Sequence, residues 1–225
     1  MSIIIKNLTK SYNTNDVKVI AVNDVSLSIE EGEYVALIGE SGSGKSTLFH
    51  LIAGLDKPDS GEIFINNVNL YSLEKDEITK FRRNEIGLIY QFYNLVPILT
   101  VEENITLPVR LNRKVINKEK LIKLLDILNL SDRKHHLPNQ LSGGQQQRAA
   151  IARVLFNEPS IILADEPTGN LDNKNSEDIL NYLEMLNSKY KQTIFIVTHS
   201  EKIAKRAKRI ITISDGKIIK DEMNI

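Results

Sequence analysis

The 225-residue chain contains no cysteine. Disulfide frameworks and thiolate metal sites are therefore excluded, and an intracellular setting fits. An excess of one charge is also missing, since 29 Lys and Arg balance 29 Asp and Glu. That balance argues against a nucleic-acid binder driven by phosphate electrostatics. The four histidines, His50, His135, His136 and His199, are too scattered for a zinc site. No apolar run reaches the roughly 20 residues of a membrane span, and the opening "MSIIIKNLTK" lacks a signal-peptide pattern. A cytosolic protein is expected, with any membrane role coming through a partner. Internal repeats, sustained heptads and low-complexity tracts are absent as well.

What is present is ordinary globular material, 41% hydrophobic and 26% charged, near the averages of soluble domains. "SIIIKNLTKSY" and "VIAVNDVSLSIEEGEYVALIG" are β-branched runs in which "EEGE" supplies a turn. "SGEIFINNVNL" predicts one further strand, with Ile63 and Ile65 alternating. "STLFHLIAGL" has a helical pattern stopped by "DKPDSG", a charged helix is expected from Lys75 to Arg83, and "EIGLIYQ" reads as a strand. Residues 92–157 read as helical: Leu121, Leu124, Leu125 and Leu128 share one face, as do Ala150, Ile151, Val154 and Leu155. After Glu158 come a strand at "SIILAD", a helix at "SEDILNYLEML", a strand at "TIFIVT" and a short helix at "SEKIAKRA". "RIITISDGKIIK" predicts a closing hairpin turning at Asp215-Gly216. Strands alternating with helices predict an α/β fold with a mostly parallel sheet. The expectation is one domain, in which 1–91 and 158–225 form the core with an antiparallel β layer and 92–157 form a helical subdomain.

"GESGSGKS", Gly39 to Ser46, fits the phosphate-loop pattern G-x-x-x-x-G-K-[ST] at every fixed position. Gly39, Gly42 and Gly44 permit backbone angles and close approach that a Cβ blocks, while Ser41, Ser43 and Thr47 complete the polar loop. The helix that follows turns its unpaired N–H groups toward the same anion. Lys45 offers a mobile charge to the β- and γ-phosphates, and the Ser46 hydroxyl is a ligand for Mg²⁺. The flanking "EYVALI" and "TLFHLIAGL" provide the strand and helix that the motif requires. "IILADE" is the natural partner: a buried strand placing Asp165 at its carboxyl end, where open α/β sheets hold ligands. Asp165 is expected to hold Mg²⁺ and Glu166 to polarise an attacking water.

A second glycine turn, "LSGGQQQR" at Leu141 to Arg148, precedes "SIILADEPTGNLD". With these motifs together the chain resembles the nucleotide-binding subunit of an ABC transporter, over about Ile3 to Lys220. "YQFYNLVPILTVEENITLPV" and "DEPTGNLD" resemble the subfamily that powers macrolide exporters, lipoprotein-release systems and bacitracin-type peptide resistance transporters. The resemblance implies that Tyr12 stacks on adenine, where the residue alone reads more readily as a strand-edge tyrosine. It further implies that Gln91 reaches Mg²⁺ and the attacking water, that Asp172 crosses to another subunit, and that His199 hydrogen-bonds the γ-phosphate. "GNLD" replaces the serine-alanine pair of many family members. His135-His136 matches nothing catalytic and reads as solvated loop.

Ser142 is placed as an N-cap or hydroxyl donor, with Gly143, Gly144 and Gln145 after it, on a lobe apart from Lys45, Asp165 and Glu166. Each such turn is therefore expected to close on the triphosphate held by a second copy in a head-to-tail dimer, a two-fold arrangement with two equivalent sites. This agrees with the ATP-sandwich dimers of the family. The stretch after Gln91, with Tyr93, Leu95, Val96 and Leu99, looks apolar and exposed, and the resemblance implies that it receives a permease's coupling helix. The expected function is an ATPase subunit, peripheral on the cytoplasmic face of the membrane, with ATP and Mg²⁺ and no nucleic acid. The competing expectation is an ATP-gated scaffold of the cell-division type. DNA-repair relatives are excluded because no heptads lie between the two nucleotide motifs, and ribosomal ones because there is a single cassette.

Overall fold

Strands that are apolar on both faces have to be covered on both faces, and this requirement organises the protein. The computed structural model describes residues 2–14 and 17–224. In strand β3 (Tyr34–Ile38) Tyr34 and Ala36 point into one core, Val35 and Leu37 into another. Strands β7 (Ile161–Asp165) and β8 (Thr193–Val197) divide the same way, Ile162, Ala164, Ile194 and Ile196 against Ile161, Leu163, Phe195 and Val197. The period of two is the strand's own.

These strands lie in a six-stranded sheet of order β10-β9-β3-β8-β7-β6, where β6 is Ile86–Tyr90, β9 Arg209–Ser214 and β10 Lys217–Met223. Every pairing in it is parallel except β9 with β10. That hairpin turns at Asp215 and Gly216, both at positive φ (47° and 73°), as a two-residue turn matched to strand twist requires. A second sheet, antiparallel and of order β2-β1-β4-β5, is built from β1 (Ile3–Thr14), β2 (Val17–Ile29), β4 (Ser60–Ile65) and β5 (Val68–Asn69). The stretch expected to be one strand, "SGEIFINNVNL", is thus two. Asn66 and Asn67 take positive φ (48° and 66°) between them, a conformation asparagine tolerates better than most residues.

Helix α1 (Lys45–Ile52) is buried between the two sheets through Leu48, Phe49, Leu51 and Ile52. The opposite face of the six-stranded sheet is covered by α3 (Val101–Leu111), α5 (Gly143–Phe156) and α6 (Asn173–Tyr190), with α4 (Lys118–Ile127) packed on α5. Helix α2 (Lys75–Glu85) follows the antiparallel sheet, and α7 (Glu201–Ala204) follows β8. Leu121, Leu125 and Leu128 are buried and Leu124 half-buried, so that stripe is packing surface. Residues 92–100, between β6 and α3, carry no helix.

Candidate nucleotide site

The phosphate-loop residues bridge the end of β3 and the start of α1. Gly44 is the N-cap at φ 105°, and α1 has no side-chain cap and no acidic residue in its first turn. A Cβ at Gly44 would collide with the Ala21 carbonyl, so only glycine brings the helix start this close to β2. The loop is braced from behind: Gly216 N–H donates to the Ser43 carbonyl at 3.0 Å and Asn23 N–H to the Gly216 carbonyl at 2.9 Å. Lys45 Nζ folds over the loop and donates to the carbonyls of Gly39 (2.8 Å) and Glu40 (2.6 Å). Ser41, Gly42 and Ser46 are exposed, whereas Ser43 is buried and its hydroxyl has no partner. An unpaired buried hydroxyl beside a helix start without a side-chain cap fits a phosphate acceptor.

The second half of the site stands at the carboxyl end of β7. Asp165 is held above the ordinary aspartate range by burial, then by the Glu166 charge, with His50 and Lys45 opposing. Glu166 sits at φ 44°. Its Oε1 accepts the His199 N–H at 2.7 Å and lies 2.6 Å from His199 Nδ1, while Oε2 accepts the Thr198 hydroxyl at 3.1 Å. The Glu166 side chain is only 16% exposed and that of His199 76%. A shielded carboxylate oriented by three donors, beside an open imidazole, has the chemistry to accept a proton from a bound water. Among the described residues no three acidic or histidine side chains converge as a ready-made metal cage. The oxygen donors Ser46 and Asp165 fit a hard cation that takes the rest of its shell from phosphate and water, as Mg²⁺ does.

Gln91 follows β6 directly. Its Nε2 donates to Asn170 Oδ1 and Asn170 Nδ2 donates back to the Gln91 carbonyl, both at 3.1 Å. A Cβ at Gly169 would stand 2.8 Å from Gln91 Nε2, so the amide is gripped by the loop after Glu166. Ser142 caps α5: its hydroxyl accepts the Gln145 N–H at 3.4 Å, and Gln145 Oε1 accepts the Ser142 N–H at 2.9 Å. Gly143 abuts Tyr93, 2.7 Å from where its Cβ would stand to the phenol oxygen, and Gly144 abuts Asn175. Asp172 caps α6 by accepting the Asn175 N–H at 2.9 Å, which holds its carboxyl below the usual range. Tyr12 is exposed beside α1 and donates to Asp56 at 2.6 Å, with Lys10 Nζ 5.1 Å from its ring centre.

Asp165 feels the charges of Glu166 and Lys45, Glu166 holds His199 and Tyr12 meets Thr47 at the start of α1, so these residues are linked to the phosphate loop. The Ser142-Gly143-Gly144 turn has its contacts with Tyr93, Leu171 and Asn175 instead. After Gln91, the four apolar residues expected to be exposed are half-buried; the exposed ones are Phe92 (69%) and Ile98 (80%). Tyr93 is covered by Gly143, and Leu95 packs on the helical core. The motif readings also assigned no role to Asn170, Asn175 or buried Gln147, whose Nε2 donates to the Pro167 carbonyl at 2.7 Å. The only trace of the first two is the Asn-rich run "GNLDNKN".

Comparison with known proteins settles the family, for the ABC transporter profile matches residues 22–169. The chain belongs to the ABC transporter family. As an ABC ATP-binding subunit it is 44% identical over 224 residues to the uncharacterised ABC transporter ATP-binding protein MJ0796 of Methanocaldococcus jannaschii, covering 97% of this chain and 95% of that one. It is 47% identical to the macrolide export ATP-binding/permease protein MacB of Hyphomonas neptunium, with 98% of this chain but 34% of MacB aligned. The chain thus spans about a third of that exporter's length. The lipoprotein-releasing system ATP-binding protein LolD 1 of Chlorobium chlorochromatii is 45% identical, over 89% of this chain and 82% of its own. Among solved structures, a dimeric post-hydrolysis state of the MJ0796 cassette bound to ADP and Pi superposes with a TM-score of 0.91 at 42% identity, covering 99% of both chains.

Proposed function

We propose that this ABC subunit binds ATP with Mg²⁺ at Gly39–Thr47 and Tyr12, hydrolyses it, and thereby drives a separate membrane permease. The observation that carries the hydrolytic reading is the contact of Glu166 with His199 at the end of β7. Glu166 orients and deprotonates the attacking water, and His199 holds the γ-phosphate and the Glu166 carboxylate in register. Lys45 leaves the Gly39 and Glu40 carbonyls for the β- and γ-phosphates, a stronger charge-assisted pairing. Ser46, Asp165 and Gln91 are the residues that would hold Mg²⁺, whose chemistry is to offset charge on the transferring phosphoryl group.

A second copy supplies Ser142, Gly143, Gly144 and Gln145 to the γ-phosphate, with Asp172 at the boundary, so that ATP joins two chains and hydrolysis lets them part. The solved MJ0796 cassettes are dimers, which supports this assembly. Among the described residues no helix is long and apolar enough to cross a membrane, and in this reading the subunit is peripheral, on the cytoplasmic face of a separate membrane permease. Similarity to MacB and LolD supports macrolide or antimicrobial-peptide export, or lipoprotein release, as the work driven. The test is Glu166→Gln. Its ATPase rate should fall by about 10²–10⁴, and with ATP it should elute from a sizing column as a dimer; a monomer under those conditions would falsify the sandwich.

A further inference from the structure

Beside β6, at the open edge of the six-stranded sheet, a cleft of about 310 Å³ opens between α2, the end of α3 and α5. Three arginines line it, Arg82, Arg83 and Arg153, and no Asp or Glu does. In a chain of zero net charge this is a local concentration of positive charge, and it is answered only by neutral acceptors. Arg82 donates to the Gly54 carbonyl (3.1 Å), and its buried Nε has no partner. Arg83 donates to the Leu111 carbonyl (3.2 Å) and Asn112 Oδ1 (3.1 Å). Arg153 donates to the carbonyls of Asn94 (2.6 Å) and Tyr93 (3.2 Å). Among the described residues none of the three has an ion-pair partner. Burial also holds Arg153 below the usual arginine range, the direction expected of a desolvated cation without a counter-charge.

We propose that this cleft receives an acidic side chain presented by a cytoplasmic segment of the membrane subunit, with Arg82, Arg83 and Arg153 as its receptor. The inference rests on the reading that the permease docks along the segment after Gln91, and it names the chemistry that docking uses. Charge complementarity selects the occupant: a guanidinium pairs more strongly with a carboxylate than with a carbonyl. Position then gives the pairing a consequence. Arg153 holds Tyr93 and Asn94, two and three residues past Gln91, and Asn94 is at φ 49°. A carboxylate competes with those carbonyls for Arg153 and so loosens the segment that carries Gln91. Tyr90 on the cleft wall is the strand partner of Asp165, so the receptor and the hydrolytic site share adjacent strands.

The experiment uses the full chain with the membrane subunit that co-purifies with it. Synthetic peptides spanning each of that subunit's cytoplasmic loops, in native form and with Asp and Glu changed to Asn and Gln, are titrated against the wild-type chain and against Arg82→Gln/Arg83→Gln. The double variant should bind ATP as the wild type does and still melt cooperatively, a few degrees lower for the lost contacts with Gly54, Leu111 and Asn112. One acidic peptide should bind the wild type, and affinity should fall on the order of tenfold per charged pairing removed, whether the acid or the arginines are changed. Equal binding of acidic and amide peptides, or undiminished binding to the double variant, overturns the proposal. So does displacement of the peptide by millimolar inorganic phosphate, which would make the cleft a free-anion site. Phe92→Ser/Ile98→Ser separates the two levels. If it abolishes the complex while the arginine variant does not, docking stands and the acidic receptor falls; if neither disturbs the complex, the docking reading itself falls.

Discussion

Two glycine turns in this protein each feed a helix, and they differ at the atoms that matter for an anion. The start of α1 has no side-chain cap, a buried hydroxyl at Ser43 without a partner, and a lysine bent back over the loop carbonyls. The start of α5 is closed by its own capping box, Ser142 and Gln145 satisfying each other. An uncapped helix start leaves N–H groups for a ligand, whereas a capped one has already used part of that capacity. The first turn is thus open to an anion from within its own chain. The second is held in shape but offers mainly the Ser142 hydroxyl proton and the glycine N–H groups, which suits it to complete a site that another chain has begun.

The contrast is broken most severely at Lys45. Lys45→Ala should lose nucleotide binding altogether in an equilibrium titration, because no other cation occupies that loop; retained binding would remove the charge argument for the first turn. Ser142→Arg comes next. It should abolish hydrolysis while a titration shows P-loop binding largely intact, and normal turnover would mean that the second turn never meets a phosphate. The smallest effect belongs to Asp172, a capping residue close to the second turn through Asn175. Because the folded-state pKa of Asp172 is depressed, its contribution to stability is present above the unfolded value near 4 and is lost as pH falls through the folded value. Asp172→Asn should flatten that acid limb of a thermal-melting series slightly; an unchanged pH profile would show that the cap carries no charge-dependent stability.

The phosphate loop and the carboxylates after β7 were legible because each depends on a few residues in fixed order next to a strand. The parallel strands were legible because continuous β-branched runs between turns leave few alternatives. The Asn66-Asn67 turn was hidden by β-branched residues on both sides, which read as one strand until the backbone angles are known. Phe92 and Ile98 were missed as the exposed apolar residues because burial after Gln91 is decided by distant partners: Gly143 covers Tyr93, and Arg153 holds the carbonyls around it. Asn170, Asn175 and Gln147 were invisible for the same reason. Each acts by a hydrogen bond or packing contact that only tertiary structure creates.

The strand that carries the phosphate loop has neighbours made much later. Leu37 of β3 pairs with Val197 on one side and Ile211 on the other, and the loop is braced from behind by Gly216. During synthesis, from the N-terminus onward, the glycines and Lys45 leave the ribosome long before either flanking strand or the bracing hairpin exists. The nascent chain therefore carries its most conspicuous motif without the means to shape it. Nucleotide capture becomes possible only when the far end of the domain arrives, which makes ATP binding a report that the fold is complete.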